Sequence, residues 1–342
     1  MATQLTPKEN YLRIINGEMP EWVPVFEMFG GEYSAMTGPM GLFGNFRGPE
    51  GGVDPWGVKY VTNEETGWAA LPEPGNFILE DITKWHEVIK KPAVNFEDID
   101  WELMSKRDIE AGKVDYENKV VSTGSNFSPF QDLMSFMGFS EGLLTYFTEP
   151  DSVHELYDFM CSYWEPFIEA TVQWYKPHMF GIGDDSASKY APFISPAMYH
   201  EFLYPYYKRI FKPAVDRGLP ISFHNCGRCE DYLDDMIDLG VKQWDPAQRE
   251  NDLLGIKAKY KGKLAVAGGW EFKVPLTWPV VDEEEIRQSV RDVIDELAPG
   301  GGFLFGGGVL GQAGDELVKK INGWVMDEAK KYGKTFYTKS QH

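Results

Sequence analysis

The alternation of short apolar runs with helical segments most constrains how this 342-residue chain can fold. An apolar run over residues 22–28 ends at Gly30 and Gly31, as expected of a buried strand. Comparable runs follow at residues 120–124, 179–183, 221–224, 241–244, 264–267 and 302–305, and most are separated by helical patterns. Strands that alternate with helices predict a parallel sheet.

Residues typical of helix starts and helix ends support this interpretation. Thr6 and Pro7 read as the N-cap and first residue of a helix that Gly17 ends, and Ser195-Pro196 reads as another helix start. Seven strands are evident, an eighth is ambiguous, and no Gly-x-Gly-x-x-Gly follows the first strand. The sequence therefore favours a single α/β domain over residues 1–342, a (β/α)8 TIM barrel, over a doubly wound sheet.

Residues 32–80 interrupt this pattern near the N-terminus. They are rich in Gly, Pro and Trp and contain one strand-like run, at residues 58–62. We interpret them as an inserted excursion of the barrel that could act as a lid.

The charge and composition exclude several classes of partner. With 33 basic and 53 acidic residues the formal charge is −20, which disfavours binding to nucleic acid. No signal peptide or membrane-length apolar run is evident, so we expect a cytoplasmic protein that does not bind membranes. Three cysteines are too few for a disulfide framework.

Polar residues at the ends of the predicted strands are the candidate site, because barrel active sites lie there. His224 and Cys226 are two apart at a strand end, so their side chains point the same way and could share a metal or a substrate. The alternative is a structural histidine beside an inert thiol. Cys229 is either a third ligand or, as we favour, a small residue in the first turn of a helix.

Three acids are candidates for proton transfer. One of Asp184 and Asp185 is expected to face the cavity, since adjacent residues of an extended chain point in opposite directions. Alternatively, one caps a helix and the other bonds a neighbouring strand. Glu27 lies among apolar residues, where burial would favour the neutral acid that a proton donor needs. A structural ion pair is the alternative for Glu27.

Aromatic residues make up 15% of the chain, and several lie near strand ends. There they could line a pocket for a flat apolar ligand, although such residues are more often core. The candidates for substrate binding are Asn126, Tyr190, Trp244, Trp270 and Phe305.

In their order and spacing, several segments resemble the uroporphyrinogen decarboxylase superfamily, which includes the corrinoid-dependent methyltransferases. They lie at residues 22–25, 128–130, 137–138, 183–185, 193–196, 204–210, 221–227 and 299–303. The resemblance implies the (β/α)8 barrel already indicated by the alternation. Where the true decarboxylases carry arginines after the first strand, this chain has Glu27 and Glu32, which disfavours a porphyrinogen substrate.

The methyltransferase branch is the better match. Its zinc motif is His-x-Cys plus a late cysteine in the glycine-rich loop of the last strand. His224 and Cys226 match the first half, but residues 306–309 contain no cysteine. Zinc would then need Cys229, Glu271 or an aspartate as a further ligand, and Glu271 is our candidate.

The resemblance implies a methyltransferase component of an O-demethylase. It would cleave an aryl methyl ether of the guaiacol or veratrole type and pass the methyl group to the Co(I) corrinoid of a partner protein, with zinc as a further cofactor to be tested. His224, Glu27 or Asp184 would handle the phenolic oxygen, while Trp270 and Phe305 would hold the ring.

Two alternatives stay open at this stage. A lyase acting on a small carboxylic acid would need a cation for the carboxylate, and Arg47 and Lys189 are the candidates. A non-catalytic small-molecule-binding barrel would tolerate loss of His224 and the acids. The sequence also leaves a homodimer open.

Overall fold

A computed structural model of the chain describes residues 5–28, 30–39, 41–272 and 280–339. Its strands are β1 Ser34–Met36, β2 Gly52–Val53, β3 Lys59–Val61, β4 Leu71–Pro72, β5 Val120–Gly124, β6 Met179–Gly183, β7 Ile221–His224, β8 Val241–Ala247, β9 Ala265–Gly269 and β10 Phe303–Gly306. Its α-helices are α1 Pro7–Ile15, α2 Trp85–Val88, α3 Trp101–Ala111, α4 Pro129–Met137, α5 Phe139–Thr148, α6 Pro150–Tyr175, α7 Pro196–Phe202, α8 Tyr204–Val215, α9 Leu233–Asp238, α10 Leu253–Lys259, α11 Glu283–Leu297 and α12 Glu316–Lys339. Short 3-10 turns span Ile82–Lys84, Phe96–Asp98 and Glu230–Tyr232.

Seven of the described strands form one curled parallel sheet. Its order, β1-β5-β6-β7-β8-β9-β10, follows the chain, and helices connect most neighbours. A parallel bridge between Val25 and Phe305 joins the segment before β1 to the last strand. The structure therefore confirms the predicted α/β fold of TIM-barrel type.

The predicted strand over residues 22–28 is corrected to this one bridge. Phe26 N–H donates to the Phe305 carbonyl and Phe305 N–H donates to the Pro24 carbonyl. Pro24 has no N–H with which to extend the pairing, and the chain turns where Gly30 N–H donates to the Glu27 carbonyl. The first regular strand, β1, lies instead within the predicted excursion.

The excursion over residues 32–80 also carries an antiparallel sheet of order β2-β3-β4, in which β3 corresponds to the run expected at residues 58–62. Trp56 is buried beneath this sheet, with its ring 6.5 Å from that of Phe136 in α4 and 5.6 Å from that of Tyr163 in α6. The sheet is therefore fixed to the barrel through aromatic contacts. That it moves as a lid stays a prediction.

Helix α1 lies at the N-terminal ends of the strands. It begins at the predicted N-cap, Thr6, which also forms a capping box with Glu9. Lys8 N–H donates to the carbonyl of Asn118, just before β5, and Tyr11 is buried. The C-terminal ends of the strands are thus left at the opposite end of the barrel. Among the described helices, none combines the length and apolarity needed to cross a membrane.

Candidate active site

Three side chains with metal-ligand chemistry meet at the C-terminal ends of β6 and β7. His224 Nε2 lies 3.4 Å from Cys226 Sγ and 3.8 Å from Asp185 Oδ1. One ligand atom from each residue lies within 4.8 Å of the others. The structure thus brings His224 and Cys226 together as predicted, with Asp185 as the third member. We call these three residues the ligand cluster.

Asp245 orients the histidine of the ligand cluster. It lies opposite His224 in the register of β7 and β8, and its Oδ2 is 2.6 Å from His224 Nδ1. Although burial by itself lowers the pKa of His224, the hydrogen bond and charge of Asp245 raise it well above the usual value. A carboxylate on Nδ1 directs Nε2 toward the cluster, as in carboxylate–histidine–zinc arrangements.

The two adjacent acids have different surroundings. Asp184 is fully buried and accepts hydrogen bonds from Phe130 N at 2.9 Å, Gln131 N at 2.8 Å and Tyr207 Oη at 2.6 Å. Its side chain therefore caps the N-terminus of α4, the alternative considered from the sequence, and its contact with a substrate oxygen stays a prediction. Asp185 keeps 34% of its side chain exposed and faces the other two residues of the ligand cluster.

A tight turn holds Cys226 in place. Its N–H donates to Asp185 Oδ1 at 2.7 Å. Gly227 follows at φ +88°, where a Cβ atom would lie 2.5 Å from the carbonyl oxygen of Ala187, so only glycine fits. Burial raises the pKa of the Cys226 thiol, while His224 opposes that rise. A bound cation would be needed to favour the thiolate.

Two other predicted ligands lie outside the cluster. Cys229 is fully buried, and its thiol contacts the carbonyl of Asn225 at 3.4 Å, as expected of a small residue in a turn. Glu271 instead accepts the N–H of Arg249 at 2.8 Å. The cluster therefore takes Asp185 rather than Glu271 as its third member, because Asp185 follows the strand next to β7.

An apolar cavity of about 400 Å³ lies beside Asp245, the residue that bonds His224 of the cluster. Asp245 lines it, so one carboxylate borders the cavity and contacts His224. The remaining wall is formed by β8, β9, β10 and the segment before β1. Its lining includes Phe26, Met28, Gly268, Trp270, Gly307 and Met326.

Glu27 lines the same cavity but is already paired. Its Oε1 lies 3.5 Å from Lys330 Nζ, and its Oε2 accepts the N–H of Glu32 at 2.8 Å. The ion pair considered from the sequence is therefore present. Both carboxylate oxygens of Glu27 are therefore engaged by other groups of the protein.

The structure separates the predicted substrate-binding residues. Trp270 lines the cavity and donates from Nε1 to Ser289 Oγ at 2.9 Å. Trp244 and Phe305 have no exposed surface, so they belong to the core and not to a ligand-contacting wall. Asn126 is exposed in the loop after β5, and Tyr190 is 81% exposed; their binding roles stay predictions.

Of the two cations proposed for a lyase, Arg47 interacts with an acid of the cluster, Asp185. Desolvation lowers the pKa of its guanidinium, but Tyr60, Asp132 and Asp185 raise it above the usual value. Lys189 instead interacts with Glu250. Since Arg47 is already balanced by acids, a substrate carboxylate would have to compete with them.

The role of Asp245 is the main feature that sequence reasoning missed. Asp245 directly follows the predicted strand over residues 241–244. Its spacing of two from Gln243, on the strand after that of His224, is the signal that could have placed it beside the histidine.

Residues 80–312 match the family model described as uroporphyrinogen decarboxylase (URO-D). The chain belongs to this family. None of the curated protein sequences compared with it gives a match. Among solved structures, it resembles a methyltransferase from Methanosarcina mazei at 14% identity and a TM-score of 0.57, covering 96% of this chain and 99% of that one. A putative vitamin-B12 independent methionine synthase from Listeria monocytogenes shows 14% identity over 63% of this chain and 64% of its own, at a TM-score of 0.36.

The first structural likeness agrees with the barrel described above. At this level of identity it concerns the fold, and this member of the URO-D family has to be assigned a reaction from its own site.

Proposed function

We propose that this URO-D family member is the methyltransferase component of an O-demethylase. It would cleave a small aryl methyl ether of the guaiacol or veratrole type and pass the methyl group to the Co(I) corrinoid of a separate protein. Family membership and the fold shared with a methyltransferase support the reaction class. The substrate class is argued from the site.

The observation that carries the proposal is the position of Asp245, which lines the apolar cavity and also bonds His224 of the ligand cluster. The cavity offers Phe26, Trp270 and Met326 to a flat ring and has the volume of a small-molecule site. Glu27 and Asp245 are its acidic wall residues, which disfavours an anionic ligand and suits a neutral ether.

The residues of the cluster fit a zinc ion. They supply one nitrogen, one sulfur and one oxygen donor, and three protein ligands leave a position for substrate, as in catalytic zinc sites. When bound, zinc would act as a Lewis acid toward the ether oxygen. Asp245 would hold His224 with Nε2 toward this position, and Gly227 would let the chain turn close enough to bring Cys226 there.

In the reaction, the bond between the methyl carbon and the ether oxygen breaks and a bond from that carbon to cobalt forms. The leaving phenolate then takes a proton. Trp270 and Phe26 would hold the ring so that the methyl group points out of the cavity toward the partner's corrinoid. The exclusion of water by this apolar wall would strengthen the polar interactions of the cluster.

Methyl transfer can be measured directly. The purified protein, mixed with a reduced corrinoid protein and a panel of methoxyarenes, should form methylcobalamin and the corresponding phenol in equal amounts. His224→Ala should abolish both products and remove zinc from the purified protein. Tyr157→Phe alters a buried tyrosine that bonds Tyr146, and it should leave both unchanged.

The absence of transfer across a broad donor panel, with an active corrinoid protein, would refute the proposed reaction. Release of carbon dioxide from small aromatic acids would instead favour the lyase. Zinc retained by His224→Ala would refute the assignment of the cluster as the metal site.

A further inference from the structure

A line of polar side chains runs through the barrel interior beneath the ligand cluster. Ser222 and His224 are two apart on β7, and Gln243 and Asp245 are two apart on β8, so each pair shares a face. The strand register places Ser222 beside Gln243 and His224 beside Asp245. Tyr11 reaches Gln243 from α1. We call these five residues the polar ladder.

The hydrogen bonds of the polar ladder have a defined direction. The amide nitrogen of Gln243 can only donate, so Ser222 accepts from it and gives its own hydroxyl hydrogen to Asp245 Oδ1 across 3.5 Å. The distance from Gln243 Nε2 to Ser222 Oγ is 3.0 Å. The remaining amide oxygen, Gln243 Oε1, accepts from Tyr11 Oη at 2.7 Å.

The same direction fixes the histidine. The other oxygen, Asp245 Oδ2, lies 2.6 Å from His224 Nδ1, so an N–H at Nδ1 would complete the bond to a carboxylate there. Nε2 is then on the side of Cys226 Sγ and Asp185 Oδ1. A neutral ring in this tautomer carries its lone pair on Nε2, the form that binds a cation.

Stability alone does not account for the polar ladder. Barrel interiors are normally filled by branched apolar side chains, and buried polar groups are costly unless they are bonded. Gln243 and Asp245 are almost fully buried, and Tyr11 is 2% exposed. Apolar residues could fill the same space, but they could not orient an imidazole.

We propose that the polar ladder is a positioning device that fixes the ring orientation and the Nδ1–H tautomer of His224 from the opposite end of the barrel. Ser222, Gln243 and Tyr11 are positioning residues that act through Asp245. The role of this orientation in metal binding rests on the proposed function. The orientation itself does not.

The orientation can be tested by NMR of the metal-free protein. The chain has six histidines, so 15N-labelled histidine gives a small set of signals, and His224→Gln assigns the one of interest. With the ring neutral, we expect the proton on Nδ1 and a hydrogen-bonded Nδ1–H signal shifted far downfield. Ser222→Ala and Gln243→Met should move this signal upfield, and Tyr11→Phe should move it less.

Two controls separate positioning from general damage. Ser222→Thr keeps the hydroxyl and should restore the wild-type signal. Ser135→Ala removes a buried hydroxyl that bonds the carbonyl of Asp132 and should change nothing. Circular dichroism checks that each variant is folded, and the mild Tyr11→Phe change gives a second measurement if Gln243→Met does not fold.

A zinc titration then tests the functional consequence. Ser222→Ala and Gln243→Met should weaken zinc binding about three- to tenfold, below the roughly 10- to 100-fold typical of a direct outer-shell partner. If wild-type protein binds no zinc, the proposed metal site fails while the NMR result still decides the polar ladder. A His224 signal that is unchanged in folded Ser222→Ala and Tyr11→Phe, or a proton on Nε2 in the neutral wild type, would overturn the inference.

Discussion

The two halves of the catalytic end of this barrel are built in opposite ways. Around β6, β7 and β8, polar side chains fill the space and form hydrogen bonds with one another, as Asp245 does with His224. Around β9 and β10, glycines 268, 269, 306 and 307 line the cavity wall. The half around β6, β7 and β8, which we call the polar half, positions the ligand cluster. The half around β9 and β10, which we call the apolar half, forms the wall of the cavity.

The late cysteine of the methyltransferase zinc motif would lie in the second of these halves, around β10, where glycines form the cavity wall. Gly307 lies in the loop where that cysteine would be sought, at φ +155°, and a Cβ there would approach Trp270 Cβ to 2.8 Å. The loop thus accommodates an aromatic residue of the cavity. In the proposed metal site the third donor is instead Asp185, after β6.

The largest expected effect concerns Asp184 in the polar half. Asp184→Ala removes the acceptor for two backbone N–H groups and the Tyr207 hydroxyl, leaving buried donors unsatisfied. We expect it to lower the free energy of unfolding by about 3 kcal/mol or more, measured by urea denaturation. Asp185→Ala, next to it but half-exposed, should cost less than about 1 kcal/mol. Equal losses would remove the distinction between the two acids.

The next effect separates the ligand candidates. Asp185→Ala should lower zinc affinity at least about tenfold, because it removes one of three donors in the cluster. Glu271→Ala should leave zinc affinity unchanged, since Glu271 bonds the N–H of Arg249. Competition with a chromophoric chelator measures both. The reverse result would restore the ligand set suggested by the sequence alone.

Sequence reasoning predicted the features that depend on local pattern. Alternating apolar runs and helices predicted the barrel, and the spacing of His224 and Cys226 predicted two of the three members of the cluster. Features that depend on contacts between distant segments were missed. The choice between Asp184 and Asp185 depends on where the N-terminus of α4 docks, and the burial of Trp244 and Phe305 depends on packing around neighbouring strands. Neither follows from the position of a residue in its own strand.

In the apolar half, Trp270→Ala should weaken binding of the methoxyarene. Loss of the indole from the cavity wall removes stacking and apolar contact worth about 1–2 kcal/mol, so we expect KM to rise roughly tenfold. Zinc content should be unchanged. Phe147→Ala, at a residue of α5 that is 72% exposed and lies outside the cavity lining, is the matched control and should leave KM unaltered. Loss of zinc in the Trp270 variant would contradict the independence of the two halves.

The smallest expected effect concerns Glu27, the acid that the segment before β1 contributes to the cavity wall. If Glu27 serves mainly to pair with Lys330, Glu27→Gln should cost less than about 1 kcal/mol of unfolding free energy and change kcat little. A double-mutant cycle with Lys330→Met isolates the pair. General acid catalysis by Glu27 would instead lower kcat by about 100-fold or more in the Gln variant, with KM and stability retained. That outcome would mean that proton transfer belongs to the apolar half, and that only ligand orientation belongs to the polar one.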